Sequence, residues 1–255
     1  MKTLRLKLLT IVIMVTGCAV QAQVAITSSY TQDFDSLGTS LPSGWGVWAS
    51  STTTGNGTAF SWATTQIANN ATAGASNYFR NLPGASQSWT SSLSSGTDRA
   101  IGWRAGTAAS RDGSITFTLT ATAGYNLTSL SFQLFTPNSS GTASTFQLQY
   151  QIGTSGTFNQ LASVSYTNDT AQNPLIVTTI TLTGAQLTAL NNQSSQVTLR
   201  WDNTATSGTS LQTLALDNFS YTAAAIPEPS TYALILGAVA LAGVMFRRHR
   251  PPRAA

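Results

Sequence analysis

The body of the chain predicts an all-β fold, a jelly-roll-like antiparallel β-sandwich. The segments Ser114–Thr120 and Thr145–Ile152 alternate between apolar and polar residues, and Leu130, Phe132 and Leu134 share one face of the segment Leu127–Phe135. Such period-two alternation, repeated between turn residues, is typical of half-buried antiparallel strands. Only Gly184–Asn191 has the pattern of a helical turn or two. The domain is therefore predicted to contain almost no helix.

The predicted strands follow one another along the body, and a long Thr/Gly/Asn-rich loop with one short strand is expected at Ser51–Ala75. Gly38, Pro42 and Gly44 predict a loop that carries Trp45 and Trp48. About ten strands are expected from the alternation, at Ile26–Phe34, Ala59–Ala63, Asn77–Arg80, Ala100–Arg104, Ser114–Thr120, Leu127–Phe135, Thr145–Ile152, Leu161–Tyr166, Leu175–Leu182, Val197–Trp201 and Leu214–Tyr221. The resulting domain spans residues 23–222, which is long enough for one sizeable core.

The charge of the chain is concentrated at its two ends. The whole sequence has a formal net charge of +4 and a pI near 9.5. Between Gln23 and Ala225, however, there are five arginines and seven aspartates, a net charge of −2. The body therefore lacks the basic surface of a nucleic-acid-binding protein, and no nucleic-acid partner is expected.

The body contains no Lys, Glu, His or Cys. A Ser-His-Asp triad cannot be built without histidine, and the commonest proton shuttle is missing. Paired aspartates remain formally available, but their spacing selects no pair. The sequence therefore predicts a protein that is not an enzyme.

The first 22 residues predict a secretory signal peptide. Lys2, Arg5 and Lys7 form a positively charged start, Leu8–Val15 is apolar, and small residues follow. We therefore expect export through the Sec machinery.

Two cleavage sites compete at the end of this segment. Val20-Gln21-Ala22 suits ordinary signal peptidase, which would cut between Ala22 and Gln23. The sequence that ends at Cys18 is similar to a lipobox, in which Cys18 would be lipidated. Cys18 is the only cysteine, so the first cleavage leaves a mature protein without disulfide or thiol chemistry.

The carboxyl end has three parts after a short linker at residues 223–226. Pro227, Glu228 and Pro229 form an extended break, because proline fixes φ and removes a backbone donor. An apolar segment follows at 233–246, and residues 231–246 are predicted as a single transmembrane helix. These 16 residues fall short of the roughly 17–25 that usually span a bilayer. A basic tail at 247–255 would stay in the cytoplasm.

This order of turn, apolar helix and basic tail resembles the PEP-CTERM sorting signal of Gram-negative bacteria that make exopolysaccharide. The resemblance covers residues 227–255 and implies recognition of Pro227, Glu228 and Pro229 by an exosortase, a membrane protease. It further implies transient residence in the inner membrane through the C-terminal helix. Cleavage near the motif and delivery to the cell surface or the exopolysaccharide matrix would follow.

The two ends of the body resemble secreted bacterial β-sandwich modules at Gln32–Trp45, Val197–Asn203 and Leu214–Tyr221. In related carbohydrate-binding jelly rolls, acidic residues of the first and last strands hold a structural calcium ion. The resemblance therefore implies a calcium site formed by Asp33 or Asp35 with Asp217, since carboxylates are suitable calcium ligands. The alternative is that Asp35 forms a local Asx-turn and that Asp217 bonds to the backbone or to Arg200.

Six tryptophans offer either core anchors or platforms for sugar rings. Three of them lie among Gly, Pro and Ser and are predicted as the exposed, sugar-stacking candidates: Trp45, Trp48 and Trp89. Trp103 and Trp201 lie in strands and are predicted as core residues, with the neighbouring arginines 104 and 200 at the surface.

Three functions follow from these observations. The first is a non-catalytic surface or matrix protein that is sorted by an exosortase. The second is a carbohydrate-binding module that stacks sugars on exposed tryptophan. The third, which we do not expect, is a glycan-acting enzyme with two aspartates about 5–10 Å apart in a cleft.

Overall fold

A computed structural model of the chain describes residues 23–37, 40–49, 51–60, 63–66, 78–84, 98–104, 113–136, 144–166, 176–203, 213–227 and 229–248. The predicted signal peptide, with Cys18 and Ala22, lies outside these residues. Gln23, the predicted new amino terminus, is the first residue described. Both cleavage hypotheses therefore stay predictions.

The described residues form thirteen strands, a short 3₁₀ turn at Thr188–Leu190 and one α-helix. The strands are β1 (Ser29–Gln32), β2 (Trp45–Ala49), β3 (Thr58–Ala59), β4 (Ala63–Gln66), β5 (Tyr78–Pro83), β6 (Arg99–Arg104), β7 (Ser114–Leu119), β8 (Tyr125–Thr136), β9 (Ser144–Ile152), β10 (Asn159–Tyr166), β11 (Ile176–Thr183), β12 (Val197–Asn203) and β13 (Thr213–Ala225). The helix α1 covers Pro229–Arg248.

The strands form two sheets. The seven-stranded sheet has the order β11-β8-β13-β6-β5-β4, and β1 also pairs with β13; the six-stranded sheet has the order β10-β9-β12-β7-β2-β3. Paired strands are antiparallel except for β4 and β5. From β7 onward each strand crosses to the other sheet, apart from the β9–β10 hairpin. The predicted two-sheet antiparallel β-sandwich is confirmed.

One hydrophobic core lies between the sheets. The Trp201 ring on β12 is centred 5.4 Å from Phe132 on β8 and 5.5 Å from Phe219 on β13. These contacts join the six-stranded sheet to the seven-stranded one. Edge-to-face aromatic packing at such distances contributes beyond the burial of apolar area. The alternating apolar residues of β7, Ile115 and Phe117, face the same core.

The segment around Trp45 is strand, not the loop that its turn residues predicted. Gly44 has φ +83, and a Cβ there would lie 2.6 Å from Val24. Glycine thus lets the chain turn into the sheet, where Thr118 N–H donates to the Gly44 carbonyl at 2.9 Å. Burial of the Trp45 ring then holds β2 in place, so tertiary packing outweighs the local turn composition.

The last strand extends into the predicted linker. β13 continues through Ala225, and Ala223 is only 8% exposed. Three of the four residues predicted as linker therefore belong to the sandwich.

The predicted C-terminal helix forms as α1, slightly longer than residues 231–246. Among the described residues, none of the helices combines the length and apolar character needed to cross a membrane.

Candidate functional site

The predicted sorting residues lie where β13 meets α1. Ala225 pairs with Tyr125, and the next amide, of Ile226, donates to the Gly124 carbonyl at 2.7 Å. Pro227 follows immediately and is exposed. The ordered sheet therefore ends one residue before the Pro-Glu-Pro sequence.

Two prolines define the break between strand and helix. Pro227 has no backbone donor and restricts the residue before it to extended conformations. Pro229 is the first residue of α1, a position where its fixed φ suits the helix and its missing N–H costs nothing. Glu228 lies outside the described residues.

The helix that follows presents apolar side chains to the surroundings. Leu234 is 74% exposed and Leu236 is 68% exposed. Its first turn contains no acidic residue, and Arg247 and Arg248 are its last two residues, next to the negative end of the helix dipole. Contiguous exposed apolar residues are typical of surfaces that contact a membrane or another protein. The exposed large apolar residues are Leu234, Ile235, Leu236, Val239 and Leu241.

The predicted calcium residues lie on or next to the paired strands β1 and β13, and each carboxylate bonds to a backbone amide. Asp33 Oδ1 accepts from Asp35 N–H at 3.2 Å, and Asp35 Oδ1 accepts from Arg99 N–H at 2.9 Å. Asp217 is fully buried, and its Oδ1 accepts from Asn218 N–H at 2.7 Å. The Asx-type turn therefore forms at Asp33, not at Asp35 as the alternative predicted.

The first and last strands pair, as the calcium hypothesis required, with Gln32 opposite Phe219. In the described part of the chain, however, no three His, Cys, Asp or Glu side chains lie close enough together to hold a metal ion. The predicted site combines only two carboxylates, one from Asp33 or Asp35 and one from Asp217, so calcium binding by that pair stays a prediction. In the structure each of these carboxylates accepts a hydrogen bond from a backbone amide.

Trp45 is a core residue, which corrects its prediction as an exposed platform. Its side chain is 3% exposed, and its ring lies 4.8 Å from Phe34 and 5.6 Å from Trp201. Its Nε1–H donates to the Tyr30 hydroxyl at 3.1 Å. Burial raises the pKa of Tyr30, and the bond from Trp45 partly opposes this shift.

Trp48 lies on the opposite side of β2, on the outer face of the six-stranded sheet. It is half-buried, and its Nε1–H donates to Thr116 Oγ1 at 2.8 Å. The strand register places Trp48, Ser114, Asp202 and Gln147 in one row across four strands. An aromatic ring therefore shares this face with a carboxylate and an amide. The third candidate, Trp89, lies outside the described residues.

The outer face of the six-stranded sheet also holds a buried arginine that the sequence prediction had placed at the surface. Arg200 is 1% exposed. Its Nη1 donates to the carbonyls of Thr52 and Gly55 at 2.8 Å each, and its Nε donates to Gln149 Oε1 at 2.9 Å. The guanidinium carbon lies 3.6 Å from the centre of the Phe158 ring.

Arg200 thus holds the segment after β2 against the outer face of the sheet. Asp202 Oδ2 lies 3.8 Å from Arg200 Nη2, and Asp202 Oδ1 accepts from the Ser51 hydroxyl at 2.7 Å. Burial lowers the pKa of Arg200, and the Asp202 carboxylate partly offsets this effect. A feature of the sequence that could have indicated this burial is the set of glutamines at alternate positions of β9. They provide polar partners on the face that Arg200 occupies: Gln147, Gln149 and Gln151.

Among known protein families, the model of the PEP-CTERM protein-sorting motif matches residues 225–250 of this chain. The chain carries a PEP-CTERM motif. The predicted order of turn, helix and basic residues is thereby confirmed. The match begins at Ala225, so the PEP-CTERM motif shares its first residue with the end of β13.

Comparison with curated proteins finds no match. Among solved structures, the K1 cleaved adhesin domain of Lys-gingipain from Porphyromonas gingivalis W83 is 10% identical with a TM-score of 0.42, and the alignment covers 77% of this chain and 98% of that one. The carbohydrate-binding module CBM28, specific for non-crystalline cellulose, is 13% identical with a TM-score of 0.45 and coverages of 79% and 96%.

The CBM22-1 xylan-binding domain from Paenibacillus barcinonensis Xyn10C is 8% identical with a TM-score of 0.39, and the alignment covers 81% of this chain and 99% of that one. With TM-scores below 0.5, these similarities do not indicate the function of this chain. The β-sandwich assignment rests on the two sheets and their shared core.

Proposed function

We propose that the chain is an exported, non-catalytic surface or matrix protein that an exosortase recognises and cuts at its PEP-CTERM motif. The observation that carries this proposal is the position of the motif. Its first proline, Pro227, is exposed directly after an ordered strand and before an apolar helix. A protease that approaches this junction meets an accessible segment rather than the interior of a domain.

The proposed route begins with the signal peptide at residues 1–22 and the Sec machinery. The exposed apolar residues of α1 would then hold the protein at the inner membrane, and Arg247 and Arg248 would remain on the cytoplasmic side. Cleavage near Pro227, Glu228 and Pro229 would release the sandwich to the cell surface or to exopolysaccharide.

The chemistry of the body supports a structural or adhesive role. It has no Lys, Glu, His or Cys, and arginines and aspartates are its only charged groups. Arg200 and Asp35 are both used in contacts that hold separate segments together. These contacts account for the two groups without a catalytic step.

The first test is alanine replacement of Pro227, Glu228 and Pro229 in the full chain, expressed in an exopolysaccharide-producing bacterium with an exosortase. We expect the full-length protein to accumulate in the inner membrane fraction, because the protease has lost its recognition residues. A matched control replaces three exposed loop residues of the sandwich with alanine: Thr154, Ser155 and Thr157. That variant should be processed like the parent.

Intact mass distinguishes the outcomes. A parent species that begins at Gln23 and ends near Pro229 in the matrix fraction would support both cleavages. Release of the triple-alanine variant at the parent's rate would contradict recognition of the motif. A matrix species that retains residues 247–255 would contradict cleavage, and a mass excess at Cys18 would identify a lipoprotein instead.

A second candidate function is carbohydrate binding on the outer face of the six-stranded sheet. The observation in its favour is that half-buried Trp48 lies in one row with Ser114, Asp202 and Gln147, so that this face carries an aromatic ring together with polar groups. We expect glycan binding to quench tryptophan fluorescence and Trp48→Ala to abolish that binding. Trp48→Phe should retain part of the affinity. Equal binding by Trp48→Ala would exclude this face.

A further inference from the structure

The terminal strand β11 lies at one end of the seven-stranded sheet. Within the described residues it pairs with β8 alone. The pairing runs without a register shift from Ile176 opposite Thr136 to Thr183 opposite Ser129. About half of the backbone amide and carbonyl groups of a terminal strand face away from its neighbour and remain available to another strand.

Within the described residues, β11 shows none of the sequence features that usually protect such an edge. Its sequence, IVTTITLT, contains no charge, proline or glycine. Among the other described terminal strands, β3 has two residues and β4 has four, while β10 shifts register between Gln160 and Ala162. Short length and bulges both disfavour edge pairing. β11 is therefore the terminal strand best suited to accept a further strand.

The two faces of β11 differ in chemistry. Thr179, Thr181 and Thr183 are exposed on the outer face, whereas Leu182 is buried and Ile180 is half-buried towards the core. A strand added at this edge would cover Ile180 and would meet hydroxyl groups on the outer face.

The outer hydroxyls continue into the sheet. Thr181 Oγ1 lies 3.2 Å from Ser131 Oγ on β8, and Ser129 Oγ lies 3.0 Å from Thr222 Oγ1 on β13. Cross-strand pairs of threonine and serine stabilise neighbouring strands. A partner strand with the same threonine spacing would extend this ladder.

We propose that β11 pairs antiparallel with β11 of a second copy of this chain and so joins two seven-stranded sheets edge to edge. A two-fold axis perpendicular to the sheet keeps both cores on the same side, so opposed residues must belong to the same face. The axis therefore passes midway between the two copies of one residue, either Thr179 or Ile180. On the outer face the first register pairs Thr179 with Thr179 and the second pairs Thr179 with Thr181, and in both registers Val177 lies opposite a threonine and no charges repel.

This inference concerns the delivered body and does not depend on how the chain is sorted. One strand pair buries less than the roughly 800 Å² per partner of a standard interface, so the association is expected to be weak and concentration-dependent. Crowding of many copies on one surface or matrix raises their effective concentration and favours the pairing.

The test compares the full chain with Thr179→Lys in a mild detergent, with molecular mass measured by light scattering over a series of protein concentrations. We expect the parent to form dimers and the lysine variant to need a concentration about tenfold higher or more, because the two added charges would lie opposite each other in one register and diagonally across the edge in the other. Ser163→Lys, an exposed position on β10, is the matched control and should dimerise like the parent. Thermal unfolding should show that both variants remain folded.

A second variant pair fixes the register. Both variants are made in a chain with Cys18→Ser, which has no other cysteine. If Thr179 lies opposite its own copy, Thr179→Cys should form a disulfide-linked dimer. If Ile180 lies opposite its own copy, Thr179 faces Thr181, and a mixture of Thr179→Cys and Thr181→Cys should form the mixed dimer instead. A monomeric parent at every concentration would overturn the proposal. The proposal would also be overturned if Thr179→Lys dimerised like the parent, which is the result expected for association through α1. The absence of both cross-links would overturn it as well.

Discussion

The guanidinium of Arg200 joins segments that are far apart in the sequence. Its partners are Thr52 and Gly55 after β2, Gln149 on β9 and the Phe158 ring before β10. A buried charge is stable only when it is paired and hydrogen-bonded, and here most of its donors have acceptors. Arg200 therefore holds the segment that contains Thr52 and Gly55 against the outer face of the six-stranded sheet.

Arg200→Ala should lower the free energy of unfolding by about 3 kcal/mol, because removing one partner of a buried network leaves the others unsatisfied. Urea denaturation followed by tryptophan fluorescence measures this loss. Arg200→Lys keeps the charge without the fork of donors and should recover only part of the stability. A loss within about 0.5 kcal/mol, typical of a surface substitution, would show that the network adds little.

The segment that carries Trp45 and Trp48 was predicted as a loop but forms strand β2, and this difference decides the environment of both side chains. They are three positions apart, so on a strand they point to opposite faces. Trp45 accordingly enters the core, and Trp48 lies on the outer face. The sequence contains this spacing, but its glycines and proline predicted a loop, in which no face is defined.

At the scale of elements, β13 has a bulge at the point where the strand paired with one of its edges changes from β6 to β1. Thr213–Leu216 pair with β6, whereas Phe219–Thr222 pair with β1, and the register against β8 shifts between Asp217 and Ser220. Asn218 lies at the shift with φ +48, a conformation that Asn tolerates better than most residues. The bulge lets one long strand serve two partners.

Asn218→Val should cost about 1–2 kcal/mol of unfolding free energy, because a β-branched residue is strained at positive φ. Asn218→Gly, which adopts this φ freely, is the control and should stay within about 0.5 kcal/mol of the parent despite losing the bond from Asn218 Nδ2 to Gln133 Oε1. Thermal or urea unfolding of both variants measures the difference. If valine and glycine had equal effects, the strain at this bulge would be negligible.

The end of β13 also sets the position of the sorting motif. The predicted linker would have separated the sandwich from Pro227, whereas the strand continues through Ala225. Alanine repeats predict neither strand nor loop strongly, so this boundary depends on pairing with β8. The folded domain and the motif are consequently adjacent.

At the scale of the molecule, aromatic residues from both sheets meet within the core that joins them. Trp201 and Phe117 on one sheet approach Phe219 on the other, at 5.5 Å and 5.0 Å between ring centres. The body therefore builds its main core without disulfides, as the absence of cysteine from residues 23–225 requires.

The sequence by itself determined the class of the fold and the location of the sorting motif. Period-two alternation at Ser114–Leu119 and Ser144–Ile152 depends on local geometry, because side chains of a strand alternate between faces whatever its partners. The Pro-Glu-Pro sequence, apolar run and arginines are likewise contiguous. Features that depend only on neighbouring residues can be recognised without the tertiary structure.

Only the tertiary structure decided which polar and aromatic residues are buried. Arg200 faces outward on its strand, yet a segment about 150 residues away in the sequence covers it. Asp33, Asp35 and Asp217 were grouped by residue type, but the fold gives each carboxylate a backbone amide as partner. The contacts of Arg200, and that of Asp35 with the Arg99 amide, join distant segments, and alternation along a single strand contains no information about what covers its outer face.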